Sequence, residues 1–134
     1  MRPDGLVTVT SAFDAPMTLE RLTHALGVKG ITIFARVDHA AGAASVGLSL
    51  RPTTLVMFGN PVGGTPLMQA AQTAGIDLPL KALVWQDADG AVRLSYNDPV
   101  WIARRHGLGD GTQAAVRALA GALAALARQA TQGD

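Results

Sequence analysis

The 134-residue sequence predicts a single α+β domain, in which helices pack on a mostly antiparallel sheet. Three observations carry this. Strand-like runs recur along the chain, and two of them flank Asp89-Gly90, a dipeptide that favours the tight turn of a β-hairpin. The C-terminal stretch holds one long amphipathic helical pattern. No linker, repeat or low-complexity block divides the chain, so strands and helices share one core.

Taken in order, Leu6 to Thr10 alternates loosely as a first strand. Asp14-Ala15-Pro16 opens a helix whose Leu19, Leu22 and Leu26 share a face, and Gly27 and Gly30 end it. Ile31 to Val37 sorts by period two. Ile31, Ile33, Ala35 and Val37 are expected in the core, with Thr32, Phe34, Arg36 and Asp38 opposite. His39 to Val46 forms a short helical turn. In the third strand, Thr54 to Phe58, both faces are apolar, which predicts a central strand covered on both sides.

A Gly-rich corner, Phe58-Gly59-Asn60-Pro61-Val62-Gly63-Gly64-Thr65-Pro66-Leu67-Met68, follows. Thr65 as N-cap and Pro66 at the first helical position predict a helix from about Pro66 to Ala74, stopped by Gly75. Lys81 to Trp85 and Val92 to Tyr96 make the hairpin, and a short helix spans Asp98 to Arg105. The closing helix, about 112–129, carries Val116, Leu119, Leu123 and Leu126 as one stripe, and Thr131 to Asp134 are expected to fray.

Composition excludes several functions. A net charge of +1 with no basic stripe argues against nucleic acid as a partner. The absence of cysteine removes disulfides, thiolate metal sites and a thiol nucleophile. Ala114 to Ala127 is apolar but carries Arg117 and falls short of the ~20 residues of a membrane span. The start lacks the apolar block of a signal peptide, so a cytoplasmic location is the expectation. His24, His39 and His106 lie far apart and match no helical metal motif, so no metal or other cofactor is expected.

The Gly-rich corner places a strand, a loop and a helix N-terminus in series, an arrangement that attracts anions. It is not a nucleotide-phosphate loop: it lacks the Gly-Lys-Ser/Thr ending, and Pro61 and Pro66 remove two N–H donors. The functional reading uses the N–H groups of Gly63, Gly64 and Thr65 for a carboxylate or phosphate, with Arg36, Arg51 or Lys81 as the nearby cation. Asp38-His39 suggests a general base, yet no Ser sits in a Gly-x-Ser-x-Gly setting. On the fourth strand Lys81, Leu83 and Trp85 share one face.

Five segments occur together in order: Arg36-x-Asp38-His39, Leu50-Arg51-Pro52-Thr53, the corner from Phe58 to Met68, Asp77-Leu78-Pro79-Leu80-Lys81, and Tyr96-Asn97-Asp98-Pro99. Their combination, over about 18–108, resembles the domain of unknown function family 302. The resemblance implies an α+β domain with a curved antiparallel sheet, similar to the TATA-binding-protein-like class and often dimeric. It implies no catalytic residues, and a fold shared with a DNA-bending protein implies no DNA binding.

Three functions are therefore expected in competition. The leading one is a small-molecule binder, with Phe34, Phe58 and Trp85 flooring a pocket, Gly63 to Thr65 as its anion corner, and Arg36, Asp38, His39, Arg51, Asn60 and Lys81 as polar neighbours. The second is an enzyme with His39 as general base and Lys81 as electrostatic stabiliser. The third is a homodimer joined through the C-terminal Leu stripe or an exposed sheet edge.

Overall fold

A computed structural model describes residues 3–133. Its elements are β1 (Leu6–Thr10), α1 (Ala15–Val28), β2 (Thr32–Asp38), α2 (His39–Ser45), β3 (Thr53–Gly59), α3 (Pro61–Ala70), β4 (Leu80–Gln86), β5 (Val92–Asn97), α4 (Pro99–Arg105) and α5 (Gln113–Thr131). Short 3-10 turns at Gln72–Asp77 and Asp110–Thr112 precede β4 and α5. The five strands form one sheet in the order β1-β5-β4-β3-β2, every neighbour antiparallel. The α+β class is as the sequence predicts.

Helices α1 and α5 pack together across one face of the sheet. Asp14 starts α1, its Oδ1 accepting from Met17 N at 2.8 Å, and Leu22, Ala25 and Leu26 turn into the core. Gly30, at φ 68°, supplies the left-handed residue that turns the chain into β2. From below, Val56 and Phe58 of β3, Ala82 and Val84 of β4, and Leu94 of β5 meet Leu123, Leu126 and Ala127 of α5 in a single core. The α5 stripe is thus consumed within the chain: Val116, Leu123 and Leu126 are buried, which removes it as a dimer surface. The end of α5 does not fray at Thr131, whose buried hydroxyl donates to Ala127 O and whose carbonyl accepts from Ala12 N. Asp134 lies outside the described residues.

Among the described residues, no helix covers the opposite sheet face. Leu55 and Met57 of β3 lie there half-buried, which corrects the expectation of a strand covered on both sides. Register explains it: Leu55 pairs with Leu83 and Met57 with Lys81, whereas Val56 and Phe58 pair with Ala82 and Leu80 on the helix side.

A bulge also breaks the period of β2. Ile33 pairs with Phe58 but Ala35 pairs with Met57, so the alternation resets at Phe34. Ile31 and Ile33 pack on the core as expected. Ala35 and Val37 do not; they move to the uncovered face, and Val37 is exposed.

Candidate functional site

The Gly-rich corner is a helix start, but five residues earlier than Thr65 and Pro66 suggest. Asn60, not Thr65, is the N-cap, and Gly63 N donates to Asn60 Oδ1 at 3.0 Å. Pro61 takes the first helical position, and Pro66 sits inside α3. Helix α3 ends at Ala70 and hands over to a 3-10 turn through Asp77, in place of one helix to Ala74.

This registration occupies the donors assigned to an anion. Gly63 N also faces Asn60 O at 3.2 Å, and Gly64 N donates to Asn60 O at 3.4 Å. Thr65 N belongs to the helix interior. The corner therefore does not offer a cradle of free N–H groups, and the anion reading of Gly63, Gly64 and Thr65 is corrected.

What the corner does is wall a cavity of about 370 Å³. Phe34 and Phe58 come from the sheet, Gly63, Gly64 and Met68 from α3, Leu78 and Pro79 from the entry to β4, and Leu119, Ala122 and Leu123 from α5. Asn60 and Thr65, both exposed, are the polar side chains in its lining. Two glycines keep the helix close to its neighbours. A Cβ on Gly63 would stand 3.1 Å from Leu119 Cδ2, and one on Gly64 would stand 3.5 Å from Leu78 Cδ1.

Of the expected site residues, the structure gathers Phe34, Phe58, Asn60, Gly63, Gly64 and Thr65 here. It separates the rest. Lys81 and Trp85 lie on the uncovered sheet face, in a second depression of about 380 Å³ with Leu6, Leu55, Leu83 and Ser95. Asp38 caps α2, accepting from Ala41 N at 2.9 Å, while Arg51 Nε donates to Gln86 O at 3.1 Å. Arg36 and His39 are exposed and line neither cavity. His39 and Lys81 therefore do not share a pocket, and the enzyme reading loses its pair of residues.

The geometry adds a cluster that spacing did not suggest. His106 Nε2 lies 2.6 Å from Asp77 Oδ2, and His106 Nδ1 lies 2.9 Å from Thr73 Oγ1. Arg105 donates to both Asp77 oxygens at 2.9 and 3.0 Å. A carboxylate only accepts, so it is Nε2 that donates in the contact with Asp77. The cluster pins the 3-10 turn, whose Gly75 lines the cavity, to the end of α4. The sequence signal was slight: Asp77 heads a family motif and His106 follows two arginines. Among the described residues no three His, Asp or Glu side chains gather as a metal site.

Fold and cavity together define a small α+β domain with an apolar pocket between one sheet face and its helices. The chain belongs to the family described as Domain of unknown function DUF302, whose model matches residues 7–126. The crystal structure of an uncharacterized conserved DUF302 protein from Bacillus stearothermophilus has the same fold, with a TM-score of 0.83 at 19% identity over 96% of this chain and 99% of that one. Among curated proteins, the chain is 49% identical over 115 residues to Fluoride-specific ion channel FluC 1 of Brucella suis biovar 1 (strain 1330). It is equally similar to Fluoride-specific ion channel FluC 2 of Brucella melitensis biotype 1. These matches cover 86% of this chain but only 45% and 43% of the relatives.

Proposed function

We propose that the domain binds a small apolar or amphipathic molecule in the cavity beside α3. The observation that supports this is a 370 Å³ space walled by aliphatic and aromatic side chains, with Asn60 and Thr65 on its solvent side. Pockets of that size and character suit one small organic ligand whose apolar body is buried and whose polar end reaches water. The test is binding of the neutral dye N-phenylnaphthylamine, followed by its fluorescence. Ala122 lines the cavity, so Ala122→Phe fills it and abolishes the enhancement while the domain stays folded. A folded Ala122→Phe protein that still binds dye as the wild type does would sink the reading.

A second reading, self-association through the β2 edge, is favoured by a separate observation. Val46, Leu48 and Leu50, in the connection from α2 to β3, are 71%, 66% and 48% exposed, and Val37 of the edge strand β2 is exposed as well. Exposed apolar side chains and an edge strand both invite a second copy. Sedimentation over a range of concentrations tests it: Leu48→Glu shifts a dimer to monomer, and a wild type that is monomeric throughout refutes it.

The longer relatives suggest a setting. No helix among the described residues is long and apolar enough to cross a membrane. The matched stretch is less than half of each FluC relative, which leaves room in them for membrane-spanning segments elsewhere. We infer that the domain works on the cytoplasmic side as a binding module beside transport, without conducting. Removing the matched stretch from the Brucella suis relative then leaves fluoride efflux from liposomes intact; loss of efflux in a folded protein overturns this.

A further inference from the structure

We propose that the uncovered sheet face is a second binding site, taking an elongated organic anion whose carboxylate sits on Lys81 and whose apolar body lies along Leu83 to Trp85. Three observations carry it, none shared with the cavity on the helix side. The first is charge. By register this face presents Lys81 and Arg93 and, among the described residues, no Asp or Glu. Arg93 is already engaged, donating to Asp87 at 3.1 Å and to Thr10 Oγ1 at 2.7 Å. Lys81 donates to Pro79 O at 2.9 Å and, among the described residues, has no ion-pair partner.

The second is the depression itself, about 380 Å³, in which Lys81 stands among Leu6, Leu55, Leu83 and Trp85. An ammonium in such surroundings is partly stripped of water, so an incoming carboxylate meets a strong partner. Burial lowers the affinity of Lys81 for its proton, against a weaker upward pull from Asp77; a bound anion reverses the first effect.

The third is a fixed far wall. Trp85 Nε1 donates to Ser95 Oγ at 2.9 Å, and Ser95 Oγ lies 2.8 Å from Thr8 Oγ1, so a hydrogen-bond chain across three strands holds the indole. Lys81 and Trp85 are four residues apart on one strand, roughly 13 Å at ~3.3 Å per residue. That span suits an extended chain or a flat aromatic acid. A second copy of the protein laid face to face is a poorer occupant, because it brings the same cations and no carboxylate.

Decanoate and its cationic counterpart decyltrimethylammonium are the probes, read by heteronuclear NMR. Decanoate shifts the Trp85 indole N–H and the Leu83 amide, and the cation does not. Lys81→Met keeps the apolar stem and weakens decanoate roughly tenfold, the value of one charge-assisted hydrogen bond; Lys81→Arg retains binding. The proposal is overturned by any of four results: equal affinity in folded Lys81→Met, shifts confined to Leu119 and Ala122, no shift at Trp85 with millimolar probe, or a concentration-dependent Trp85 shift without probe that marks a face already covered by a second copy.

Discussion

His106 Nε2 stands 2.6 Å from Asp77 Oδ2, joining the end of α4 to the turn that walls the cavity. The two residues are 29 apart in sequence. His106 and Asp77 side chains are 7% and 11% exposed, whereas Arg105, the other partner of Asp77, is 47% exposed. Solvent screens the Arg105 pair and spares the His106 one, so the two contacts differ in weight.

Asp77→Ala is accordingly expected to cost about 1.5–3 kcal/mol, since it leaves a buried imidazole without its charged acceptor. Arg105→Ala costs less than about 1 kcal/mol. Urea unfolding of both variants measures the difference, and equal losses would show that Asp77 acts mainly through Arg105. The Asp77 variant also loosens the turn at Gly75, so its dye affinity at the cavity falls while that of the Arg105 variant holds.

Gly5 should tolerate no side chain. Its φ is 76°, and a Cβ there would meet Trp101 Cγ at 2.2 Å. Gly5 O also accepts from Asp98 N at 2.7 Å, which ties the start of β1 to the cap of α4 and leaves the backbone little room to shift. Gly5→Ala combines left-handed strain with overpacking, a loss of about 2–4 kcal/mol. A melting temperature unchanged from wild type contradicts this. Adding Trp101→Ala to Gly5→Ala recovers part of the loss if the clash is the cause.

The hairpin turn carries a pH dependence through Asp87. Burial by itself would raise the Asp87 carboxyl, but the N–H of Ala91, the Arg93 guanidinium and the N–H of Asp89 outweigh it and hold it below the usual carboxylate range. A group depressed in the folded state binds its proton less readily there than in the unfolded chain. Its contribution is complete above about pH 4, the unfolded value, and is lost as pH falls through the folded one. Asp87→Asn therefore lowers stability at pH 7 and flattens the decline on acidification. Parallel slopes for variant and wild type between neutral and acid pH would rule this out.

Much of the fold was legible because it is local. Leu22 and Leu26 in α1, the Asp89-Gly90 hairpin and the α5 stripe each declare their partners' side by period or turn chemistry within a few residues. The corner was legible as a place and misread in detail. Asn60 and Thr65 are both competent N-caps, each followed by a proline, and the competition was decided by α3 packing against Leu119 and Leu78.

Six of the expected ligand neighbours, from Phe34 to Thr65, do meet in one cavity. Lys81 and Trp85 were sorted correctly onto one face of β4, but that face is the uncovered one. Periodicity says which residues of a strand point together; it does not say which way, because that depends on the strand laid alongside. The pairing of Met57 with Lys81 settled it, and the bulge at Phe34 reversed the end of β2 in the same manner. The sequence by itself determined the class, the order of most elements, the family and the location of the corner. Only the tertiary structure decided which face each residue serves, that Asp77 meets His106, and that the expected site residues divide between two depressions on opposite sides of the sheet, since strand register and helix docking are contacts between residues distant along the chain.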